Sequence, residues 1–263
     1  MPASLSKANK NRPSLLIINA DDWGRDSETT DRTLDCMRAK AVSSVSAMVF
    51  MEDSERAAQI AREHQIDAGL HLNLTTSFSV TNCSPRLREH QQRIASRLLR
   101  HRFSQSLFRP ALMKSFDYVI SAQIDEFERL YGAAPNRVDG HHHMHLCANV
   151  IFGTLLPRGV IVRRNFSLQP FEKGCVNRAY RRAVDRMLAH RHRLTDFFFA
   201  LNPLNPPDRL QRIFGLAQRF VVEIETHPVN PEEWRFLAGG EVFRWVGDCP
   251  ISCGFALSWA PQA

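Results

Sequence analysis

Four short stretches of this chain place acidic and imidazole side chains directly behind apolar runs. Leu15–Asn19 runs into Asp21-Asp22, and Ala68-Gly69-Leu70 carries His71. Val138 precedes Asp139-Gly140-His141-His142-His143-Met144-His145, and Val221–Ile224 leads into Glu225-Thr226-His227-Pro228. A carboxylate with two imidazoles is a standard donor set for a catalytic divalent metal that keeps positions open to water. Two adjacent carboxylates on an extended backbone point in different directions, so one can ligate while the other faces the metal-bound water. Four histidines within residues 141–145, behind Asp-Gly, are the strongest composition signal in the sequence. An extended backbone would put His141, His143 and His145 on one face and turn His142 away, whereas a helical turn would bring His141 and His145 together. His64, His90, His101, His190 and His192 stand alone and read as structural.

These groups need elements to carry them. Strand-length apolar runs recur at Leu15–Asn19, Val45–Phe50, Ala68–Leu74, Arg137–Asp139, Val160–Arg163, Asp196–Leu201, Phe220–Ile224 and Gly254–Trp259. Helical spacing separates several of them, over Thr29–Ala39, Asp53–His64, Ser115–Tyr131 and Leu210–Arg219. Strands alternating with helices imply βαβ units and a mainly parallel sheet. The expected fold is therefore α/β: an irregular (β/α) barrel, closed or nearly closed, forming a single domain over residues 14–263. In such folds reactive residues gather at the carboxyl ends of the strands, where all four motifs fall. Residues 1–13 are polar, lack the apolar core of a signal peptide and read as a flexible tail.

Composition narrows the class. The 263 residues are 44% hydrophobic and 23% charged, which fits a globular chain and excludes collagen, coiled coil and bulk disorder. No apolar run approaches the roughly 18 residues of a membrane span, and the expected location is the cytoplasm. The six cysteines are scattered rather than paired in a short chain, so a disulfide scaffold is not expected, and Cys249 and Cys253 lack a CxxC partner.

The net charge of +7 is unevenly spread. Residues 85–114 carry eight basic side chains against Glu89, a local +7, and residues 158–193 carry ten against Glu172 and Asp185, a local +8. The remainder therefore sums to −8. Two solvated Arg-rich helices, or attraction to a membrane surface or an anionic glycan, account for this pattern. Nucleic acid is disfavoured, because no aromatic interleaving or RNA-binding signature accompanies the charge.

The ordered motifs Asn19-Ala20-Asp21-Asp22-Trp23-Gly24, Gly69-Leu70-His71-Leu72-Asn73-Leu74-Thr75, Asp139–His145 and Thr226-His227-Pro228 resemble those of the YdjC-like carbohydrate deacetylases, a family that includes chitooligosaccharide deacetylases. The resemblance spans about residues 14–230, with Trp23 where the family usually has Phe and an atypical segment from about 76 to 110. It implies a (β/α) barrel and metal-dependent removal of N-acetyl groups from an amino-sugar or oligosaccharide. On matching positions it makes Asp22, His71 and His141 the metal ligands, Asp21 the general base and His227 the general acid. It implies one divalent metal, with magnesium or zinc first and manganese, cobalt or iron also compatible. Asp139 is expected to orient a ligating imidazole. His143 and His145 would approach metal or substrate, Trp23 would stack on a sugar ring or pack in the core, and Arg163 with Arg164 would meet substrate or form a structural or solvated pair. The rivals are a metal-dependent phosphoesterase and a non-catalytic protein binding nucleic acid or membrane through the basic segments. A homo-oligomer stays open.

Overall fold

A computed structural model describes residues 14–251 except 102, 169–171, 248 and 250. The expected tail at 1–13, the strand at Gly254–Trp259 and Cys253 lie outside the described residues. Seven strands form one sheet: β1 (Leu15–Trp23), β2 (Ser44–Ala47), β3 (Ala68–Leu72), β4 (Arg137–Gly140), β5 (Ile161–Val162), β6 (Phe197–Ala200) and β7 (Val221–Thr226). Their order is β5-β4-β3-β2-β1-β7-β6, and every pairing is parallel. Helices α1 (Ser27–Arg38), α2 (Ser54–Glu63), α3 (Pro85–Leu98), α4 (Met113–Tyr131), α5 (Ala148–Gly153), α6 (Cys175–Ala189), α7 (Pro207–Ala217), α8 (Pro231–Ala238) and α9 (Phe243–Val246) surround it. None is long and apolar enough to cross a membrane.

The sheet curls until its two edges meet. Ile161 on β5 forms a parallel bridge with Arg193, just ahead of β6, and the Ser167 amide donates to the Phe198 carbonyl at 2.9 Å. The expected barrel is thus present, closed on one side by irregular backbone rather than by a full ladder. Strand β5 is shorter than the apolar run suggested, because beyond Val162 the chain leaves the sheet.

Alternation along the strands separates two environments. Leu16, Ile18, Val45, Leu70, Val138, Val162, Val222 and Ile224 point outward and form the main core beneath the helices. Leu15, Ile17, Ile161 and Val221 form a separate apolar cluster inside, at the amino end of the barrel. Above that floor the interior turns polar, with Asn19, Ser46, His71, Arg137, Asp139, Arg163, Glu223 and Glu225 all buried. Arg137 fits because residue 69 is glycine: a Cβ there would stand 2.8 Å from the guanidinium carbon.

Candidate metal centre and active site

Asp21 and Asp22 end β1 at an irregularity. Ala20 pairs with Val45 and Trp23 with Ala47, so β1 spends one residue more than β2 over the same span. That bulge puts Asp22 in the left-handed region, with φ of 64°, a conformation that Asp tolerates better than most residues and that collects at functional sites. Arg25, just ahead of α1, donates to Asp22 Oδ2 at 2.8 Å and turns Oδ1 toward the imidazoles. Oδ1 lies 2.9 Å from His141 Nδ1 and 3.3 Å from His71 Nε2.

His71 comes from the middle of β3, opposite Asp139 of β4. Its Nδ1–H donates to Asp139 Oδ1 at 2.7 Å, which leaves Nε2 facing Asp22, a carboxylate–histidine arrangement that fixes the tautomer of a metal ligand. Ser46 donates to the other Asp139 oxygen at 2.5 Å. Beyond β3, the Asn73 backbone is held by Gln123 of α4, whose side chain accepts from its N–H and donates to its carbonyl. The Asn73 amide oxygen accepts from the N–H groups of Thr75 and Thr76.

The histidine run adopts neither a strand nor a continuous helix. It is a 3-10 segment, His141–Leu146, broken by left-handed conformations at His142 and His143. The break separates the four rings. His141 faces Asp22, and His142 lies against it with ring centroids 4.0 Å apart while meeting Thr75 Oγ1 at 3.1 Å. His143 packs edge-on against Phe166 and sits 3.7 Å from Glu225. His145 is fully buried and donates from Nε2 to the Arg163 carbonyl; burial pushes its imidazole down to about 4, so it stays neutral.

Asp22, His71 and His141 each offer one ligand atom within 4.8 Å of the others. One carboxylate oxygen facing two imidazoles fits a divalent ion of the zinc, manganese, cobalt or iron kind, and magnesium less closely. Asp21, His71 and Asp139 satisfy the same distance criterion. That second grouping is a weaker candidate, because Asp139 already bonds His71 and both Asp21 oxygens are engaged by Arg163.

Arg163 organises the remaining charges. It stands 2% exposed just past β5, yet reaches strands at the far side of the sheet order, which only the curled interior permits. Nη1 and Nη2 clamp the two Asp21 oxygens at 2.7 Å each, Nε donates to Glu223 at 2.7 Å, and Asp139 and Glu225 lie at 3.1 and 3.4 Å. Burial raises the Asp21 and Asp139 carboxyls most strongly, but the charges and bonds of Arg163 and His71 together outweigh it and hold both below the usual carboxylate range. The same competition at Asp22 is won by its bonds from His141 and His71. Glu223 and Glu225 go the other way, since burial raises both. His71 is pushed down by burial, but the Asp21 charge and the Asp139 bond prevail and raise it to about 10.

His227 follows β7. Ala20 pairs with Thr226, so His227 emerges beside Asp21 at the barrel mouth. Its main-chain N–H donates to Glu233 at 2.7 Å, and Thr226 and Asn202 donate to the same carboxylate. Glu233 thereby fixes the turn from which His227 projects.

The YdjC-like protein family model matches residues 15–242. The chain belongs to the YdjC-like family. Among similar proteins, the human carbohydrate deacetylase is 28% identical over 84% of this chain and 76% of its own length. The chitooligosaccharide deacetylase of Proteus mirabilis (strain HI4320) is 30% identical over half of each chain. A solved protein of Enterococcus faecalis V583, provisionally named for cellobiose-phosphate cleavage, superposes with a TM-score of 0.63 over 92% of this chain and 97% of its own, at 16% identity. That likeness concerns the fold.

Of the YdjC-like residues singled out from sequence, Asp21, Asp22, His71, Asp139, His141 and Arg163 come together in one buried cluster. Trp23 does not join them as a sugar platform: it is fully buried in the core beneath the helices. Arg164 turns away and bonds Asp185 and the Thr195 carbonyl. Asn19, Ser46, Arg137, Glu223, Glu225 and Glu233 were missed. The signal for three of them was present, since Arg137-Val138-Asp139 and Glu223-Ile224-Glu225 alternate charged and apolar residues within otherwise apolar strands.

Proposed function

We propose that this YdjC-like protein is a metal-dependent hydrolase that removes N-acetyl groups from an amino-sugar or oligosaccharide. The observation that carries this reading is the juxtaposition of two carboxylates with different partners. Asp22 faces two imidazoles, and its neighbour Asp21 is clamped by an arginine beside them. The names of the human and Proteus mirabilis relatives support the substrate class.

Asp22, His71 and His141 would hold the ion, which would supply Lewis-acid activation of water and of the acetyl carbonyl. Asp21 is the base. Its Oδ1 already accepts from Asn19 and Arg163, and its Oδ2 accepts from Arg163 alone. One lone pair on Oδ2 is left for the proton of the attacking water. The Arg163 clamp keeps that carboxylate ionised and fixed, so its orientation costs nothing at the moment of reaction. Asp139 holds His71 in a single tautomer and orientation. His227, aimed from the neighbouring strand, donates a proton to the departing sugar amine. A backbone N–H near Trp23 would donate to the oxyanion.

The test is acetate release from N-acetylated chitooligosaccharides by metal-restored protein, with a generic phosphate ester assayed in parallel. Metal-dependent acetate release without phosphate release is expected. Turnover of the phosphate ester alone would overturn the proposal.

A further inference from the structure

We infer that the apolar, arginine-flanked rim centred on Leu99, Phe103, Leu107, Phe108 and Phe152 is a docking surface for an anionic lipid bilayer. Among the described residues nine large hydrophobic side chains are exposed, and all but Phe243 lie within 99–108 or 152–187. Phe103 is 63% exposed, Phe152 59% and Val176 83%. Those two stretches overlap the two segments that carry the chain's local charges of +7 and +8, while the rest of the chain sums to −8. Apolar exposure and positive charge therefore coincide on an otherwise acidic protein.

The fold joins the stretches at one end. Helix α4 leads back to the amino end of β4, so the 99–112 connection ahead of it lies at the carboxyl end of the barrel. Helix α5 follows the histidine run at the same end. The two are tied by a reciprocal pair of bonds, with the Arg109 amide donating to Asn149 Oδ1 at 3.0 Å and Asn149 Nδ2 donating to the Arg109 carbonyl at 2.9 Å. Phe108 meets Phe152 edge-on, with ring centroids 6.2 Å apart. Val176 and Tyr180, in the amino-terminal half of α6, are further exposed apolar side chains on the second basic segment. Arg97 and Arg100 stand exposed beside the patch.

Aromatic and aliphatic side chains flanked by arginines match a membrane interface, where the apolar groups enter the boundary below the headgroups and the arginines meet anionic lipid. A nucleic acid would offer no burial for Leu99, Leu107 or Val176. Asp22, His71 and His141 lie at the carboxyl ends of the strands, so docking through this rim would set the barrel mouth close to the headgroup layer.

Vesicle flotation of the full chain tests this without reference to catalysis. Binding is expected to phosphatidylcholine vesicles containing phosphatidylglycerol, to weaken with salt, and to be slight on phosphatidylcholine alone. Phe103→Ser/Phe108→Ser/Phe152→Ser should lower partitioning at least roughly ten-fold, and Arg97→Glu/Arg100→Glu roughly 25-fold or more, with thermal midpoints unchanged. Absence of binding to both vesicle types, or equal binding by the variants, would overturn the inference. So would a concentration-dependent dimer in light scattering that the Phe→Ser triple variant abolishes, since the face would then belong to a second copy of the chain.

Discussion

Replacing Arg163 with methionine tests the charge network most directly. The guanidinium is buried and touches Asp21, Asp139, Glu223 and Glu225 within 3.4 Å. Methionine preserves the length and apolar volume of the stem but removes the charge. Asp21 and Asp139 are ionised because Arg163, the strongest of their countercharges, joins His71 in outweighing their burial, so its loss strands two buried carboxylates. Removing one partner of a buried ion pair costs about 3–5 kcal/mol, which for a chain of this size lowers the thermal midpoint by roughly 6–20 °C. The sign of the pH dependence follows. In the parent protein the depressed carboxyls contribute stability that is present above the ordinary aspartate range and lost as pH falls through their folded-state values. In the variant, burial instead raises them, and a raised carboxyl loses stability as pH rises. The gap between parent and variant should therefore be widest near neutrality and narrow toward pH 5. Urea denaturation of both proteins at about pH 7.5 and pH 5, with chelator present, measures it. Glu223→Gln serves as control: burial already raises Glu223, and glutamine keeps the acceptor for Arg163 Nε, so it should cost under about 1 kcal/mol. A gap below about 1 kcal/mol for Arg163→Met, or one that widens in acid, would refute the account of Arg163 as the countercharge.

Asp22→Ala or His141→Ala should deplete bound metal while the fold is retained, as metal analysis and circular dichroism would show; full occupancy in both would remove these residues from the ligand set. Asp21→Asn should keep metal and much of the substrate affinity yet lower kcat by roughly 10²–10⁴-fold, whereas loss of metal would make Asp21 a ligand. His227→Gln should cripple hydrolysis of an N-acetyl sugar and spare much of any activity on an aryl acetate, whose leaving group needs no proton. Equal losses on both substrates would give His227 a structural role.

The strand ends were legible because burial leaves a simple trace: an apolar run that stops at an acidic or imidazole side chain. That trace located Asp21, Asp22, His71, Asp139 and the histidine run, and the alternation of runs with helical spacing implied the parallel barrel. What lay beyond it was conformation. An extended Asp21-Asp22 pair was the natural reading, but the bulge and the left-handed Asp22 depend on pairing with β2, a long-range property. The same holds for His142 and His143, whose left-handed backbone made both expected periodicities of the histidine run fail. From its place after an apolar run, Arg163 reads equally as a substrate contact or as one of a structural or solvated pair. Only a sheet curled far enough to bring β5 across to β1 and β7 reveals what it binds. Glu223, inside the Phe220–Ile224 run, and Glu225, quoted only within the motif that follows it, carry no assigned role in the sequence reading, because parallel strands are usually apolar on both faces, a rule that fails where a barrel interior is polar.

Leu15, Ile17, Ile161 and Val221 close the amino end of the barrel beneath that charged interior. Apolar packing therefore shuts the amino end, and Asp21, Asp22, His71 and His141 sit toward the carboxyl end. Under the proposed hydrolysis, substrate, water and acetate would all enter and leave at the carboxyl end, and the small product would wait on the larger one there. On that reading, traffic order, and with it the form of product inhibition, would be set by four aliphatic side chains that lie apart from the reacting atoms.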